Sequence, residues 1–297
     1  MVKNPLLYTH IHWPGFSSWH QTSKYMEWEV RACDHGDPHP PPPGDSVVFY
    51  TNSELEHAAN HRALRKVAFL LESKFIAWWT YDYAEAHLDY FDTVLTYDEG
   101  LIARHPGKCQ FFPHGGCSIP PKDRKIWQKD KLVSFWATNR KTAPGHYARH
   151  EFYELYTNRQ ENWLNPYIRD LQIDCYGQLP HNYAKTMLDC LGDYMFQIVM
   201  ENNISETYFT EKLIDCLVTG TIPIYRGSRG ASRFFDANGI LYFTTTEELV
   251  DILSGLSTRD YIDRLEAVRA NYRIAQNFVL AEDWIYKNTD LFGTGVA

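Results

Sequence analysis

Charged and amide side chains cluster after an apolar run in the second half of the sequence. The run Met195–Met200 predicts a buried strand, and Glu201 and two asparagines follow it directly. Thr210 can then cap a helix that begins near Glu211 and ends at Gly220. The spacing therefore places carboxylate, amide and hydroxyl groups where a strand ends and a helix begins.

This helix start has the chemistry of a nucleotide-diphosphate site. A helix N-terminus presents free backbone N–H groups and a partial positive charge, and Lys212 adds a full positive charge. Glu211 can accept hydrogen bonds from ribose hydroxyls, Asn202 can donate to an oxygen, and Tyr208 can hydrogen-bond or stack. The alternative interpretation of the same residues is an ordinary capped helix with a solvated lysine.

The stretch resembles the donor-binding motif of glycosyltransferase family 10, the α-1,3/1,4-fucosyltransferases. That motif reads Glu-Asn-Ser, then a short variable stretch, then Tyr-aliphatic-Thr-Glu-Lys, and later a Pro and a Gly. Two departures are Asn203 in place of Ser and Phe209 in place of the aliphatic residue, and Pro223 and Gly227 follow where the motif expects them. The residues implied to bind the donor are Glu201, Asn202, Asn203, Tyr208, Thr210, Glu211 and Lys212.

The resemblance extends upstream to an arginine on the preceding helix. The stretch LVSFWATNRKTAPGHYARHEFYELY fits the family's strand and helix, with Arg149 in the matching position. In the family that arginine grips the donor diphosphate, and a guanidinium can clamp phosphate oxygens in pairs. Without the resemblance, Arg149 would be interpreted as a solvated side chain on an exposed helix face.

Transfer of a sugar to a hydroxyl with inversion needs a carboxylate that takes the acceptor proton. The family's proposed base is a Glu at the carboxyl end of an N-terminal strand, and KVAFLLES offers Glu72 at such a place. Leu71 and Ser73 depart from the Gly and Asn that flank it in the family. Asp98 and Glu99, after the next predicted strand, remain alternative catalytic carboxylates.

Aromatic side chains in the first half are candidates for acceptor binding. The C–H faces of sugars pack on aromatic rings, while Asp and His reach hydroxyl groups. The stretch HIHWPGFSSWH supplies His12 and Trp13, and WWTYDY supplies Trp79 and Asp82. Core packing of the same rings is the alternative.

Short apolar strands alternate with helical segments in both halves of the chain, which predicts an α/β protein with parallel sheets. Strands are predicted over 6–8, 46–50, 66–71, 92–96, 110–112, 132–137, 173–176, 195–200, 221–225 and 240–243. Helices are predicted over 53–64, 83–90, 145–156, 183–191, 210–218, 246–253 and 257–292. The polar, proline-initiated stretch 119–131 is interpreted as a linker between two domains.

The expected fold is two Rossmann-like, doubly wound α/β domains that face each other across a cleft, and the family resemblance implies that this fold is GT-B. An acceptor-side domain is expected over 1–120 and a donor-binding domain over 132–280. Residues 281–297 are expected to form a C-terminal helix that crosses back to the first domain.

Composition excludes several other classes of protein. Hydrophobic residues make up 44% of the 297 residues, enough for a packed core, and no run of about 18 apolar residues predicts a membrane span. The net charge of -8 argues against a nucleic-acid binder. Six cysteines without a CxxC pair favour reduced thiols and a cytoplasmic location. Since no membrane stem is predicted, the expected location is the cytoplasm of a microbe, or of the host if the protein is viral.

No Asp-x-Asp pair that could hold a divalent cation is present, so no metal cofactor is expected. The expected function is inverting transfer of a sugar, L-fucose from GDP-fucose, to a hydroxyl of a glycan. One alternative keeps the fold and mechanism with another donor, such as UDP-xylose or a different GDP- or UDP-sugar. The other alternative is a carbohydrate-binding protein without catalysis.

Overall fold

The computed structural model describes residues 5–9, 15–16, 22–31, 41–158, 165–168 and 170–292. It divides the chain into two compact units. Unit 1 comprises Met1–Gly116 and Leu280–Ala297, and unit 2 comprises Cys117–Val279. The stretch 119–131, expected as a linker, is therefore part of unit 2.

The strands are β1 (Leu6–Tyr8), β2 (Glu29–Arg31), β3 (Val47–Tyr50), β4 (Arg65–Phe69), β5 (Thr93–Thr96), β6 (Cys109–Phe111), β7 (Lys131–Trp136), β8 (Ile173–Tyr176), β9 (Tyr194–Met200), β10 (Ile222–Arg226) and β11 (Leu241–Tyr242). The α-helices are α1 (Trp78–Ala86), α2 (Glu99–Arg104), α3 (Pro144–Thr157), α4 (Asn165–Ile168), α5 (Glu211–Thr219), α6 (Thr246–Gly255), α7 (Thr258–Asp263), α8 (Leu265–Ala275) and α9 (Ala281–Asn288). Short 3-10 helices span Asn52–Ala59, Leu88–Tyr90, Pro121–Asp123, Met187–Cys190, Arg229–Arg233, Ala237–Gly239 and Gln276–Phe278.

Unit 1 is built on a parallel sheet in the order β2-β1-β3-β4-β5-β6. Every residue of β1, β3 and β5 is buried, as expected of parallel strands that are covered on both faces. Helix α9, from the far end of the chain, adds Ala281 and Ile285 to the core that contains Phe49 and Phe69. The Ala281 N–H also donates to the Gly15 carbonyl over 2.9 Å, so this last helix is an integral part of unit 1.

Unit 2 is built on a second parallel sheet in the order β11-β10-β9-β7-β8. All seven residues of β9 are buried, as expected of a central strand between β10 and β7. Met200 and Arg226 are paired in register at the carboxyl ends of β9 and β10. Side chains that follow these two strands are therefore neighbours at one edge of the sheet, where α/β sheets bind ligands.

The prediction of two parallel α/β units is confirmed, whereas some predicted elements differ. The helix predicted over 183–191 is wrong: only the 3-10 turn Met187–Cys190 is helical, opened by a capping box between Thr186 and Asp189. Directly before this stretch, Asn182 forms an antiparallel β-bridge with Gly177, so the backbone of Asn182 is hydrogen-bonded as in a sheet and not as in a helix. The strand β2 and the helix α2 were not predicted. None of the described helices is long and apolar enough to cross a bilayer.

Two predicted helices of unit 1 also take a different form. The helix predicted over 53–64 is a 3-10 helix that ends at Ala59. The helix predicted over 83–90 already begins at Trp78, where Thr80 is buried and its hydroxyl donates to the Ala77 carbonyl over 2.7 Å. This earlier start places Trp78, Trp79 and Asp82 on one helix.

A lysine binds the amino ends of three strands of unit 2 together. The Lys129 ammonium, just before β7, donates over 2.9 Å to the carbonyls of Leu191 and Gly192, just before β9, and to the Thr221 hydroxyl, just before β10. Burial lowers the pKa of Lys129 to about 7, with a partial opposing effect of Cys216 and Asp193. Lys129 thus supplies a donor to each of these oxygens, although the Leu191 carbonyl also accepts from the Thr221 hydroxyl over 2.9 Å and from the Tyr194 N–H over 3.1 Å.

We expect Lys129→Met to lower the free energy of unfolding by about 1–3 kcal/mol for each buried oxygen left without a donor. Because the pKa of Lys129 lies below that of an unfolded lysine, the unfolded chain binds more protons between pH 7 and pH 10. Wild-type stability should therefore rise with pH across this window, and the variant should lack that rise. Urea unfolding at pH 7 and pH 9 measures both effects.

The matched control is Lys131→Met, because the Lys131 side chain is about half exposed, so its contacts with the Tyr194 hydroxyl (3.3 Å) and Asp174 (3.8 Å) are screened by water. Its unfolding free energy should change by no more than about 0.5 kcal/mol. Equal effects of the two substitutions would contradict the role given to Lys129.

Candidate active site

A fully buried carboxylate organises the edge of the unit 2 sheet. Glu201 follows β9, and its oxygens accept hydrogen bonds from the Thr210 N–H (2.9 Å), the Thr210 hydroxyl (2.8 Å) and the Tyr225 hydroxyl (3.1 Å). Burial and the negative charge of Glu201 raise the pKa of Tyr225 well above its usual value, so this phenol stays a donor. Glu201, predicted to bind the donor, is thus occupied by bonds within the protein.

Thr210 links this carboxylate to the start of α5. Its backbone is extended, and its hydroxyl accepts from the Lys212 N–H over 3.3 Å, as an N-cap residue does. At the other end Gly220 has a φ of 73°, a left-handed conformation that favours glycine and ends the helix. The sequence prediction of this capped helix is confirmed.

The Lys212 ammonium lies above this helix start. Its Nζ is 2.8 Å from a Glu211 oxygen, 3.1 Å from the Thr210 hydroxyl and 3.9 Å from a Glu201 oxygen. Burial alone would lower the pKa of Lys212, but the negative charges of Glu211 and Glu201 outweigh it and raise that pKa. The ammonium is therefore charged at neutral pH, and its side chain keeps 21% of its surface exposed.

Arg149 reaches the same edge from α3 and is only 3% exposed. Its Nη2 donates to the Met200 carbonyl and, over 3.3 Å, to the Asn202 side-chain oxygen. Burial lowers the pKa of Arg149 to about 10, and the charges of Glu201 and Glu211 oppose that shift. The guanidinium is consequently charged at neutral pH, within electrostatic reach of both carboxylates.

Arg149 can reach this edge of the sheet because the backbone at the start of α3 lies close to the backbone of the loop after β9. The Gly145 N–H donates to the Asn202 carbonyl over 3.0 Å, and a Cβ at Gly145 would lie 1.7 Å from the Glu201 carbonyl oxygen. Only glycine fits at this contact, which brings the first turn of α3 against the loop after β9.

The remaining motif residues differ in exposure. Tyr208 is buried, whereas Asn202 and Asn203 are half-buried. Phe209 is fully buried and packs edge-on against Phe234, Phe235 and Phe278, with ring centroids 5.5–5.6 Å apart. An aromatic cluster therefore accounts for the departure of Phe209 from the family motif.

A cavity of about 160 Å³ lies in the same unit and was not predicted from the sequence. The Arg226 Nε donates to the Thr244 carbonyl over 3.2 Å, while its buried Nη1 has no acceptor among the described residues. At the rim, an oxygen of Glu151 accepts from the Thr246 hydroxyl over 3.1 Å. The lining residues are Ala148, Glu151, Met200, Arg226, Phe243, Thr244, Thr245, Thr246 and Glu247. The sequence signal that could have pointed to this cavity is a cation, Arg226, directly after the predicted strand 221–225.

In unit 1, Glu72 is half-buried in the turn after β4. One oxygen accepts from the Ser73 N–H over 2.8 Å, and the other accepts no hydrogen bond within the described part of the chain. Both carboxylate oxygens of Asp98 already have a partner. Its Oδ1 caps α2 by accepting from the Leu101 N–H over 2.7 Å, and its Oδ2 pairs with the Lys74 ammonium, also over 2.7 Å. Of these two carboxylates, Glu72 is the one with an oxygen available for a substrate. The third candidate carboxylate, Glu99, lies in the first turn of α2.

The predicted acceptor residues are placed only in part. His12 and Trp13 lie outside the described residues. Trp79 and Asp82 are exposed and lie three positions apart on α1, hence on one helix face. No group of three His, Cys, Asp or Glu side chains suited to a metal ion occurs in the described ranges.

Comparison with known proteins places this chain in a family. The model of glycosyltransferase family 10 (fucosyltransferase), C-terminal part, matches residues 128–288, more than half of the chain. An α-(1,3)-fucosyltransferase FucT of Helicobacter pylori is 27% identical over an alignment of 183 residues that covers 59% of this chain and 36% of that relative. An α-(1,3)-fucosyltransferase B of Drosophila melanogaster is 32% identical over 84 residues, or 23% of this chain and 19% of the relative. The chain thus spans about a third or less of the length of these relatives.

Solved structures show the same fold. A crystal structure of an α1,3-fucosyltransferase superimposes with a TM-score of 0.52 at 17% identity, covering 98% of this chain and 93% of that one. The structure of TarM gives a TM-score of 0.56 at 14% identity, over 84% of this chain and 55% of that one. Together with the two parallel sheets and the motif from Glu201 to Lys212, these matches lead to one assignment: the chain belongs to glycosyltransferase family 10, the fucosyltransferase family, and has the GT-B fold.

Proposed function

We propose that this protein transfers L-fucose from GDP-fucose to a hydroxyl of an acceptor glycan, with inversion at the anomeric carbon. Family membership supports the reaction class. The observation that carries the proposal is the arrangement of Lys212 and Arg149 at the start of α5, where two buried or half-buried cations meet a helix N-terminus. Such an arrangement suits a diphosphate, whose charge grows as it leaves.

In this proposal Lys212 and Arg149 take different parts in donor binding. Lys212 is partly exposed and can turn its ammonium to a phosphate oxygen. Arg149 is fixed by the Met200 carbonyl and Asn202, so it supplies charge from a rigid position and holds the loop after β9. Glu211 then exchanges its contact with Lys212 for the ribose hydroxyls, which are good donors to a carboxylate.

The sugar transfer itself requires a base for the acceptor hydroxyl. We propose Glu72 for this part, since one of its oxygens is not used within the described chain while both oxygens of Asp98 are. The acceptor oxygen attacks the anomeric carbon as the bond from that carbon to the diphosphate oxygen breaks. The hydroxyl proton passes to Glu72, and GDP leaves with the bonding electrons.

A different nucleotide sugar, such as UDP-xylose, is the second candidate donor. The residues above contact the diphosphate and the ribose in this proposal, and these groups are common to GDP- and UDP-sugars. The departure at Asn203, which no packing contact accounts for, is the observation that favours this candidate.

We expect Lys212→Met to weaken GDP binding by about 10–100-fold, the loss of one charge-assisted hydrogen bond of about 1.5–3 kcal/mol. Titration calorimetry with GDP and UDP measures the effect and shows which nucleotide the wild type prefers. Lys122→Met, at an exposed lysine of the same unit, is the control and should bind as the wild type does. Unchanged affinity in Lys212→Met would refute the site.

We expect Glu72→Gln to lower kcat by about 10²–10⁴-fold, the usual contribution of a general base, while GDP affinity stays unchanged. Asp98→Asn is the comparison: it removes the charge that pairs with Lys74, while its amide oxygen can still cap α2, so it should lower stability slightly and leave turnover near normal. Steady-state kinetics and thermal unfolding separate the two results. Near-normal turnover in Glu72→Gln would transfer the role to Asp98 or Glu99.

A further inference from the structure

A second buried carboxylate lies on helix α5, one turn after Glu211. Asp215 is 2% exposed and follows Glu211 by four positions, so the two carboxylates lie on the same side of the helix. The Asp215 Oδ1 accepts a hydrogen bond from the Ser118 N–H over 2.7 Å. Its Oδ2 is buried and has no hydrogen-bond partner among the described residues.

The surroundings of Asp215 favour a carboxyl group that keeps its proton. Glu201 accepts three hydrogen bonds, whereas Asp215 accepts one and forms no ion pair within the described part of the chain. A buried carboxylate with so few donors is costly as an anion. Burial and the negative charge of Glu211 raise the pKa of Asp215 to about 7, and the contacts with Ser118 and Cys117 limit that rise. Asp215 therefore exchanges a proton near neutral pH.

Two thiols and two cations complete the titratable surroundings of Asp215. Burial raises the pKa of the Cys117 and Cys216 thiols well above its usual value, so both thiols stay neutral. The positive charge of Arg124 opposes part of the shift at Cys117, and that of Lys129 opposes part of the shift at Cys216. Helix α8 packs against α5, and its charged side chains are all exposed: Glu266, Arg269 and Arg273.

The charge of Asp215 acts on the same helix start that receives the diphosphate in the proposed function. Asp215 follows the Thr210 cap by five positions, which is about 8 Å along the helix axis. Over such a distance inside a protein, two charges interact strongly enough to change a binding constant several-fold. An ionised Asp215 repels the diphosphate, and the bound diphosphate disfavours ionisation of Asp215 to the same extent.

We infer that Asp215 regulates donor binding as a proton switch: the nucleotide sugar binds preferentially to the form in which Asp215 is protonated, and binding takes up a proton. The inference rests on the proposed function, because it concerns the regulation of that same site. The proton comes from solvent and joins a carboxylate oxygen of Asp215, and it returns to solvent when the nucleotide leaves. Donor affinity therefore falls as the pH rises through neutrality.

The test is a calorimetric titration of the full chain with GDP-fucose, without an acceptor. The diphosphate of GDP-fucose is esterified at both ends, so it lacks the terminal phosphate whose second pKa is about 6. We expect the affinity of the wild type to fall by about 3–10-fold from pH 6 to pH 8. Titrations at pH 7 in HEPES and in Tris, which differ in ionisation enthalpy, should show uptake of about 0.2–0.5 proton.

Asp215→Asn keeps an oxygen for the Ser118 N–H and cannot ionise. We expect this variant to bind GDP-fucose at pH 8 about as tightly as at pH 6, and to take up no proton. A purely structural role of Asp215 would instead weaken binding equally at both pH values. The matched control is Asp251→Asn, because Asp251 is an exposed carboxylate on α6 of the same unit. It should keep the pH dependence and the proton uptake of the wild type.

Absence of proton uptake in the wild type would overturn the inference, and that measurement does not depend on the folding of any variant. A pH dependence that persists in Asp215→Asn would belong to another group, such as Lys129, and would also overturn it. In both cases GDP-fucose still binds, so the proposed function stands. Failure of the wild type to bind GDP-fucose at either pH would refute the proposed function, and the inference with it.

Discussion

The unit 2 site depends on one buried carboxylate. Burying a charged group away from water costs free energy unless hydrogen-bond donors surround it. Glu201 accepts three hydrogen bonds, two from Thr210 and one from Tyr225. These bonds join the end of β9, the start of α5 and the strand β10. Because Thr210 also caps α5, the first turn with its charged side chains takes its position from Glu201. Glu201 thus contributes to the site by fixing the position of the first turn of α5 relative to β9 and β10.

Charge is balanced around this carboxylate before any ligand binds. Two cations, Arg149 and Lys212, face two anions, Glu201 and Glu211, and each cation interacts with both. The pKa of Arg149 falls because burial dominates, whereas the pKa of Lys212 rises because the neighbouring negative charges dominate. A bound diphosphate would compete with Glu211 for Lys212, and the ribose hydroxyls would then compensate Glu211. In the proposed function, donor binding is in this way an exchange of partners, which avoids leaving a charge unpaired.

The unit 2 strands and the capped helix could be predicted because their signals are local: a continuous apolar run, a threonine cap and a terminal glycine. The role of Glu201 could not, because Tyr225 lies 24 positions away and its hydroxyl meets Glu201 only when β9 and β10 pair. The wrong helix over 183–191 has a different cause: Thr186 and Asp189 form a capping box that starts a single 3-10 turn at Met187, so only Met187–Cys190 is helical. The two departures in the motif also differ: Phe209 is explained by an aromatic cluster formed after folding, whereas nothing in the structure explains Asn203.

In unit 1 the sequence left three carboxylates open, and packing distinguishes two of them. Asp98 resembles a catalytic residue in sequence because it follows a strand, yet the same position makes it the cap of α2. A carboxylate that caps a helix and pairs with Lys74 is stabilised as an anion in a fixed place, and protonation would weaken both contacts. Glu72 is constrained differently, because Tyr81 holds its backbone carbonyl and the Ser73 N–H holds one carboxylate oxygen. A general base needs this combination of a fixed backbone and an available oxygen, and for that reason Glu72 is the carboxylate that we propose for this role.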